Sequence, residues 1–165
     1  MLPRRALSLH QPYAYFVADR RCEFPKRVEN RPRLIATWRN WEPSGEFWIH
    51  ASKGGGEAYW AEAVEYARRA FGPKLTIPRF GDVPRGGIVG RARIAGIVMP
   101  HRGVSIAKAA DEPLRPALDL RWHFLGSWGY VLVDVRPCEF VPCRGAQGFF
   151  SVRPDVLREL ERVAA

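Results

Sequence analysis

The sequence predicts an α+β fold, a small sheet of short strands closing toward a β-barrel and decorated by two to four helices. Three observations predict it. Short runs rich in β-branched and aromatic residues recur along the chain. Helical periodicity is confined to a few segments that do not alternate regularly with strands, as a doubly wound sheet would require. The longest strand candidate, residues 86–98, is punctuated by Gly86, Gly87, Gly90 and Gly96, which suit the bends of a tightly curved sheet. At 165 residues the chain fits one domain, 1–165, better than two. A chain of this size buries about 70% of its unfolded surface, so a core needs neither metal nor disulfide.

The elements follow in order. Residues 6–10 form a short strand, interrupted by Gln11-Pro12 because proline has no amide donor and restricts the residue before it. Residues 12–19 read as a short helix opened by Pro12, with Tyr13, Phe16 and Val17 on one face. Residues 26–31 read as a polar strand ended by Pro32. Residues 38–45 are turn-forming. Residues 46–51, Glu-Phe-Trp-Ile-His-Ala, make a strong strand. A glycine turn, 54–56, follows. Residues 57–71 are the clearest helix, with Ala58, Ala61, Val64, Ala67 and Phe71 at helical spacing and Gly72-Pro73 as the stop. Segment 100–125 reads as an insertion or lid with a short helix near 107–111. Strands are expected at 130–135, 138–141 and 148–152, and a terminal helix at 155–163.

Net charge is +9. Residues 1–40 carry nine Arg or Lys against Asp19, Glu23 and Glu29, a local net charge of +6. Guanidinium groups match phosphate through paired hydrogen bonds, and a basic face attracts polyanions at long range. A solubilising surface is the bland alternative. No apolar run is long enough to span a bilayer and no secretory signal opens the chain, so a cytoplasmic protein without a membrane partner is expected. Three cysteines, Cys22, Cys138 and Cys143, argue against a disulfide framework. Their spacing gives no zinc pattern; no metal or other cofactor is expected.

Four segments carry a resemblance. They are Leu7-Ser8-Leu9-His10-Gln11-Pro12-Tyr13-Ala14, Lys26-Arg27-Val28-Glu29-Asn30-Arg31, Gly45-Glu46-Phe47-Trp48-Ile49-His50-Ala51-Ser52-Lys53, and a closing pair, Gly126-Ser127-Trp128-Gly129-Tyr130 with Arg144-Gly145-Ala146-Gln147-Gly148-Phe149-Phe150. Together, in this order, they resemble the ASCH family of the PUA-like superfamily. The resemblance implies a small β-barrel with helices at its openings and a cleft lined by the matched polar residues. It further implies RNA binding or RNA-linked regulation. Some members are enzymes: a short member resembles an amidohydrolase acting on N4-acetylcytidine, and ribonuclease activity is attributed to others. Related folds read modified bases, some by flipping them. Arg27 replaces the family's usual threonine. Glu29 stands where the amidohydrolase members have a threonine, a departure from the pattern of that activity; a small hydrolase, an amidohydrolase on an N-acylated cytidine-type nucleoside or a ribonuclease, is the alternative to a binding role.

The expected partner is RNA or another nucleic acid, or a nucleoside-like small molecule. Lys26, Glu29 and Arg31 are the centre of the expected site. Glu29 and Arg31 share one strand face; a bend after Lys26 is needed to bring its ammonium to them. If the chain is an enzyme, Lys26 and Glu29 are its catalytic pair: desolvation would lower the lysine pKa and the carboxylate would move protons. A surface ion pair is the alternative. His50 and Ser52 end a strand facing one way, and Lys53 beside three glycines suits a phosphate; a hydrogen-bonded core histidine and an ordinary turn are the rivals. Trp128, beside Ser127, and Tyr130 share a face and could stack on a base or fill the core. Gln11 and Tyr13, flanking Pro12, have polar tips that could read a base edge.

Overall fold

The structure, a computed structural model, describes residues 2–33, 45–101 and 119–164. The turn expected at 38–45 (apart from Gly45) and most of the expected insertion, with its short helix, lie outside the described residues. Among the described residues six strands form one mixed sheet: β1 (Arg5–Leu9), β2 (Val28–Arg31), β3 (Glu46–Ala51), β4 (Gly87–Val98), β5 (Trp128–Pro142) and β6 (Phe149–Ser151). Their hydrogen-bonded order is β2-β5-β4-β3-β1-β6. Three helices accompany them: α1 (Tyr13–Ala18), α2 (Glu57–Phe71) and α3 (Pro154–Ala164). The contacts divide the chain into two compact units, one of Met1–Pro25, Phe47–Arg91 and Val135–Ala165, the other of Lys26–Glu46 and Ala92–Asp134.

In the first unit β1 lies between β3 and β6. It runs parallel to β3, pairing Ser8 with His50 and Leu9 with Ala51, and antiparallel to β6, pairing Leu7 with Phe149. Ala6, Leu7 and Leu9 of β1 are buried, while Arg5 and Ser8 are half-buried. Ala6, Trp48, Ile88, Val141, Val152 and Leu160 form a core cluster, with Val156, Leu157 and Val163 of α3 packed against it. Trp48 is 1% exposed, and its buried indole N–H donates to the Pro3 carbonyl at 2.7 Å, which satisfies the one polar atom of the ring. Helix α2 buries Trp60, Ala63 and Ala67, a narrow stripe at helical spacing. It stops where Gly72 takes φ 118°, a conformation open to glycine.

In the second unit β2 pairs antiparallel with β5, Glu29 opposite Tyr130 and Arg31 opposite Trp128. Asn30 ties a single 3-10 turn, Leu120–Trp122, to this pair: its amide donates to the Trp122 carbonyl at 2.8 Å and its carbonyl oxygen accepts from the Phe124 N–H at 2.8 Å. Trp122 and Tyr130 are fully buried there.

Two departures from the sequence reading exceed a one-residue shift at an element's end. The strand expected at 26–31 begins at Val28, so Lys26 precedes it. The two strands expected at 130–135 and 138–141 are one, β5, which continues through Pro137. Within it Asp134 takes φ 51° and accepts from Arg93 at 2.9 Å.

Candidate functional site: an open basin and a buried charge cluster

Parallel pairing of β1 with β3 places Ser8 beside His50, and His10 and Ser52 follow two residues on. The same-face alternation of a strand therefore lines up two hydroxyls and two imidazoles. The contacts are close: Ser8 Oγ lies 3.1 Å from His50 Nδ1 and His10 Nδ1 lies 2.6 Å from Ser52 Oγ. These four residues line a cavity of about 990 Å³, completed in part by Lys53, Arg144, Gln147, Arg153 and Asp155. Three of the four matched segments, far apart in sequence, thus supply one basin within the first unit.

Its charge is unevenly compensated. Arg153 pairs with Asp155 at 3.0 Å. Lys53 and Arg144 are exposed, and neither makes an ion pair among the described residues. Lys53 stands against the backbone at Gly86, where a Cβ would come within 2.5 Å of its Cε. Gly86 is pinned in turn: its N–H donates to Ala51 at 2.6 Å and its carbonyl accepts from Cys143 at 3.0 Å. His50 is 2% exposed, and burial holds its pKa below the ordinary imidazole value.

In the second unit Lys26, Glu29 and Arg31 make a compact ionic cluster. Lys26 Nζ donates to Glu29 Oε2 at 2.6 Å, and Arg31 Nη2 lies 3.1 Å from Glu29 Oε1. The bend before β2 delivers the lysine. Lys26 is 1% exposed, so this is an interior pair, and burial pushes its ammonium below the usual lysine range despite Glu29. Trp128 and Ser127 are half-buried at the start of β5; Tyr130 is fully buried, as a core residue would be.

The remaining candidates belong to the first unit. Gln11 is buried with both ends of its amide engaged: Nε2 donates to Pro84 at 2.9 Å and Oε1 accepts from Tyr15 N–H at 3.0 Å. Pro12 is buried beside it. The Tyr13 ring meets Phe16 and Tyr59 edge-on. Sequence reasoning did not single out Ser8, His10, Arg144, Gln147, Arg153 or Asp155. For the first four the signal was present in the matched segments, as polar residues alternating with apolar ones or following the last strand turn. Arg153 and Asp155 carried none.

No family sequence model and no curated protein sequence matches the chain. Solved structures do. An ASCH protein from Zymomonas mobilis matches at TM-score 0.50 and 14% identity, over 96% of this chain and 94% of that one. A serine-to-alanine variant described as the ASCH protein of the same organism matches at TM-score 0.50 and 14% identity, over 98% of each chain. At this identity the likeness concerns the fold alone. The chain has an ASCH-like α+β fold, the class to which the four sequence segments pointed.

Proposed function

We propose that the chain binds nucleic acid, RNA in preference to DNA, or a modified nucleobase, through the basin of the first unit. The observation that carries this reading is a pair of exposed cations, Lys53 and Arg144, without an ion pair among the described residues, on a cavity lined by Ser52, His10, Gln147 and other hydrogen-bonding side chains. Cations of this kind take backbone phosphates. Hydroxyl, imidazole and amide groups suit a 2′-hydroxyl and the edge of an unstacked base. A concave site takes a splayed nucleotide more readily than a stacked base pair. The fold likeness agrees with an RNA-linked role at the level of the fold. Titration of single-stranded RNA and DNA across salt concentrations tests it. Affinity that falls steeply with salt and weakens in Lys53→Ala and Arg144→Ala is expected; salt-independent binding, or none, sinks the reading.

A second reading is hydrolysis of an N-acylated cytidine-type nucleoside at Lys26 and Glu29. It is favoured by one observation, a desolvated amine held against a carboxylate, which suits proton transfer. Release of acetate from N4-acetylcytidine that disappears in Lys26→Ala would support it; no turnover by the wild type would remove it.

A further inference from the structure

A second hollow of the first unit shares no lining residue with the basin. It has two lobes. The first, about 520 Å³, is walled by α1 and β5, with Ala14, Tyr15, Ala18, Val89, Pro137 and Phe140 among its lining. The second, about 480 Å³, is lined in part by Arg20, Arg91 and Arg136. Arg20, Pro137, Cys138 and Val163 line both, so the lobes adjoin. Gly90 lets α1 and β5 approach β4 here: a Cβ on it would come 2.8 Å from the Arg136 carbonyl oxygen and 3.3 Å from Ala18 Cβ. Each lobe has the size of a small-ligand pocket, about 300–1,000 Å³.

The lobes differ in polarity. The first is mostly aliphatic and aromatic. Its Gln11 amide is engaged at both ends, its Asp19 pairs with Arg21 at 2.7 Å, and its Glu139 is exposed to water. The second brings three guanidinium groups together with no carboxylate among its described lining residues. Arg20 and Arg136 are exposed and Arg91 is half-buried; none of the three makes an ion pair among the described residues. Cys138 marks the junction. Burial pushes its thiol up to about 11 although Arg91 opposes the shift, so the arginines border a desolvated wall. A cationic end beside an apolar end complements a molecule divided the same way, with an anion for the guanidinium groups and hydrocarbon for the apolar lobe. A bare phosphate leaves the apolar lobe unused. A nucleic-acid strand carries a charge at every nucleotide and meets cations in only one of the lobes.

We propose that this hollow binds a small amphipathic anion, its phosphate or carboxylate head on Arg20, Arg91 and Arg136 and its apolar body in the lobe of Tyr15, Val89 and Phe140. The site is separate from the basin and stands or falls independently of nucleic-acid binding there.

The test is an NMR titration of the folded chain, below micelle concentrations, with octyl phosphate, octanoate, butyl phosphate, 1-octanol and inorganic phosphate. Saturable binding of an octyl anion is expected, with shifts centred on the methyl groups of Ala14, Ala18, Val89 and Val163. Whichever of octyl phosphate and octanoate binds more tightly identifies the head. Each buried methylene is worth up to about fourfold, so octyl phosphate should bind at least about tenfold more tightly than butyl phosphate. Octanol and inorganic phosphate, each lacking one half, should be weaker by a similar factor. Arg20→Ala and Arg136→Ala, both exposed positions, should each weaken the octyl anions about tenfold and leave octanol unchanged, and Lys53→Ala should change nothing. The proposal is overturned by an absence of saturable binding, by octanol or inorganic phosphate binding as tightly as the octyl anions, or by shifts centred on the basin. It is equally overturned if uridine monophosphate displaces octyl phosphate at matched concentration, which would give the hollow to nucleotides instead.

Discussion

The basin of the first unit and the ionic cluster of the second are built from the same kinds of residue and do opposite things with charge. In the cluster Glu29 accepts from both Lys26 and Arg31, all three largely withdrawn from water. In the basin Lys53 and Arg144 stay hydrated and unpaired among the described residues. A buried pair is costly to assemble and far costlier to break, because the surviving charge stays desolvated. A hydrated cation costs the fold almost nothing and remains free to meet an outside anion. The charges of the cluster are therefore spent on one another, while those of the basin stay available to an anion from outside.

The most severe test of that contrast is Glu29→Gln, which removes the negative charge facing Lys26 and Arg31. A loss of about 3–5 kcal/mol in chemical denaturation is expected, and pairing it with Lys26→Met should recover part of the loss. A Glu29→Gln protein as stable as wild type would mean that the cluster is not the buried unit described here. Gly145→Ala is the corresponding probe of the basin: a Cβ there would overlap the His50 ring, whose nitrogens lie 3.1 Å from Ser8 Oγ and 3.0 Å from the Cys143 carbonyl, so the change should cost about 1–3 kcal/mol and weaken RNA binding with it. Lys53→Ala and Arg144→Ala should each leave stability within about 0.5 kcal/mol while lowering RNA affinity about tenfold and reducing the salt slope by about 0.7 per cation. Equal unfolding midpoints with unchanged affinity would dissolve the distinction between the regions.

Two smaller effects sharpen it. Burial makes His50 hold its proton less tightly in the folded chain than an ordinary imidazole, near 6.5, so the unfolded chain takes up a proton first as the pH falls. The stability that a neutral His50 contributes is complete above that value and is lost below it; His50→Gln should flatten this part of the acid limb in thermal melts. Last, burial raises the Cys138 thiol to about 11. At about pH 8 roughly a thousandth is thiolate, so alkylation by iodoacetamide should lag far behind that of a free thiol and accelerate on unfolding.

Local signals made much of this legible. The strand at 46–51 and the helix at 57–71 have the expected bounds because a run of β-formers and a Gly72-Pro73 stop are strong local signals; the helix nevertheless buries Trp60, Ala63 and Ala67, and Ala58 and Ala61 of the expected repeat are exposed. The terminal helix starts at Pro154 instead of Asp155, a matter of one capping position. The join across Pro137 was hidden because a proline reads as a break, whereas a strand can continue where it lacks only one donor. The site divides the same way. Lys26, Glu29 and Arg31 meet because a local bend precedes Val28, and close spacing made that contact readable. His10 with Ser52 depends on the parallel register of β1 and β3, and Ser8 with Ala146 on a segment 138 positions away. Such pairings are set by the sheet as a whole, and no window of sequence contains them. Arg153 enters the basin only because α3 begins there.

The wide span of those pairings has a consequence for synthesis. Strand β1 is made long before one of its partners, β6, and the basin wall at 143–147 is made just before β6. Non-local contacts of this kind form slowly and late. The nascent chain therefore leaves one edge of β1 without its strand partner until β6 has been made, and the basin is not complete until α3 has begun.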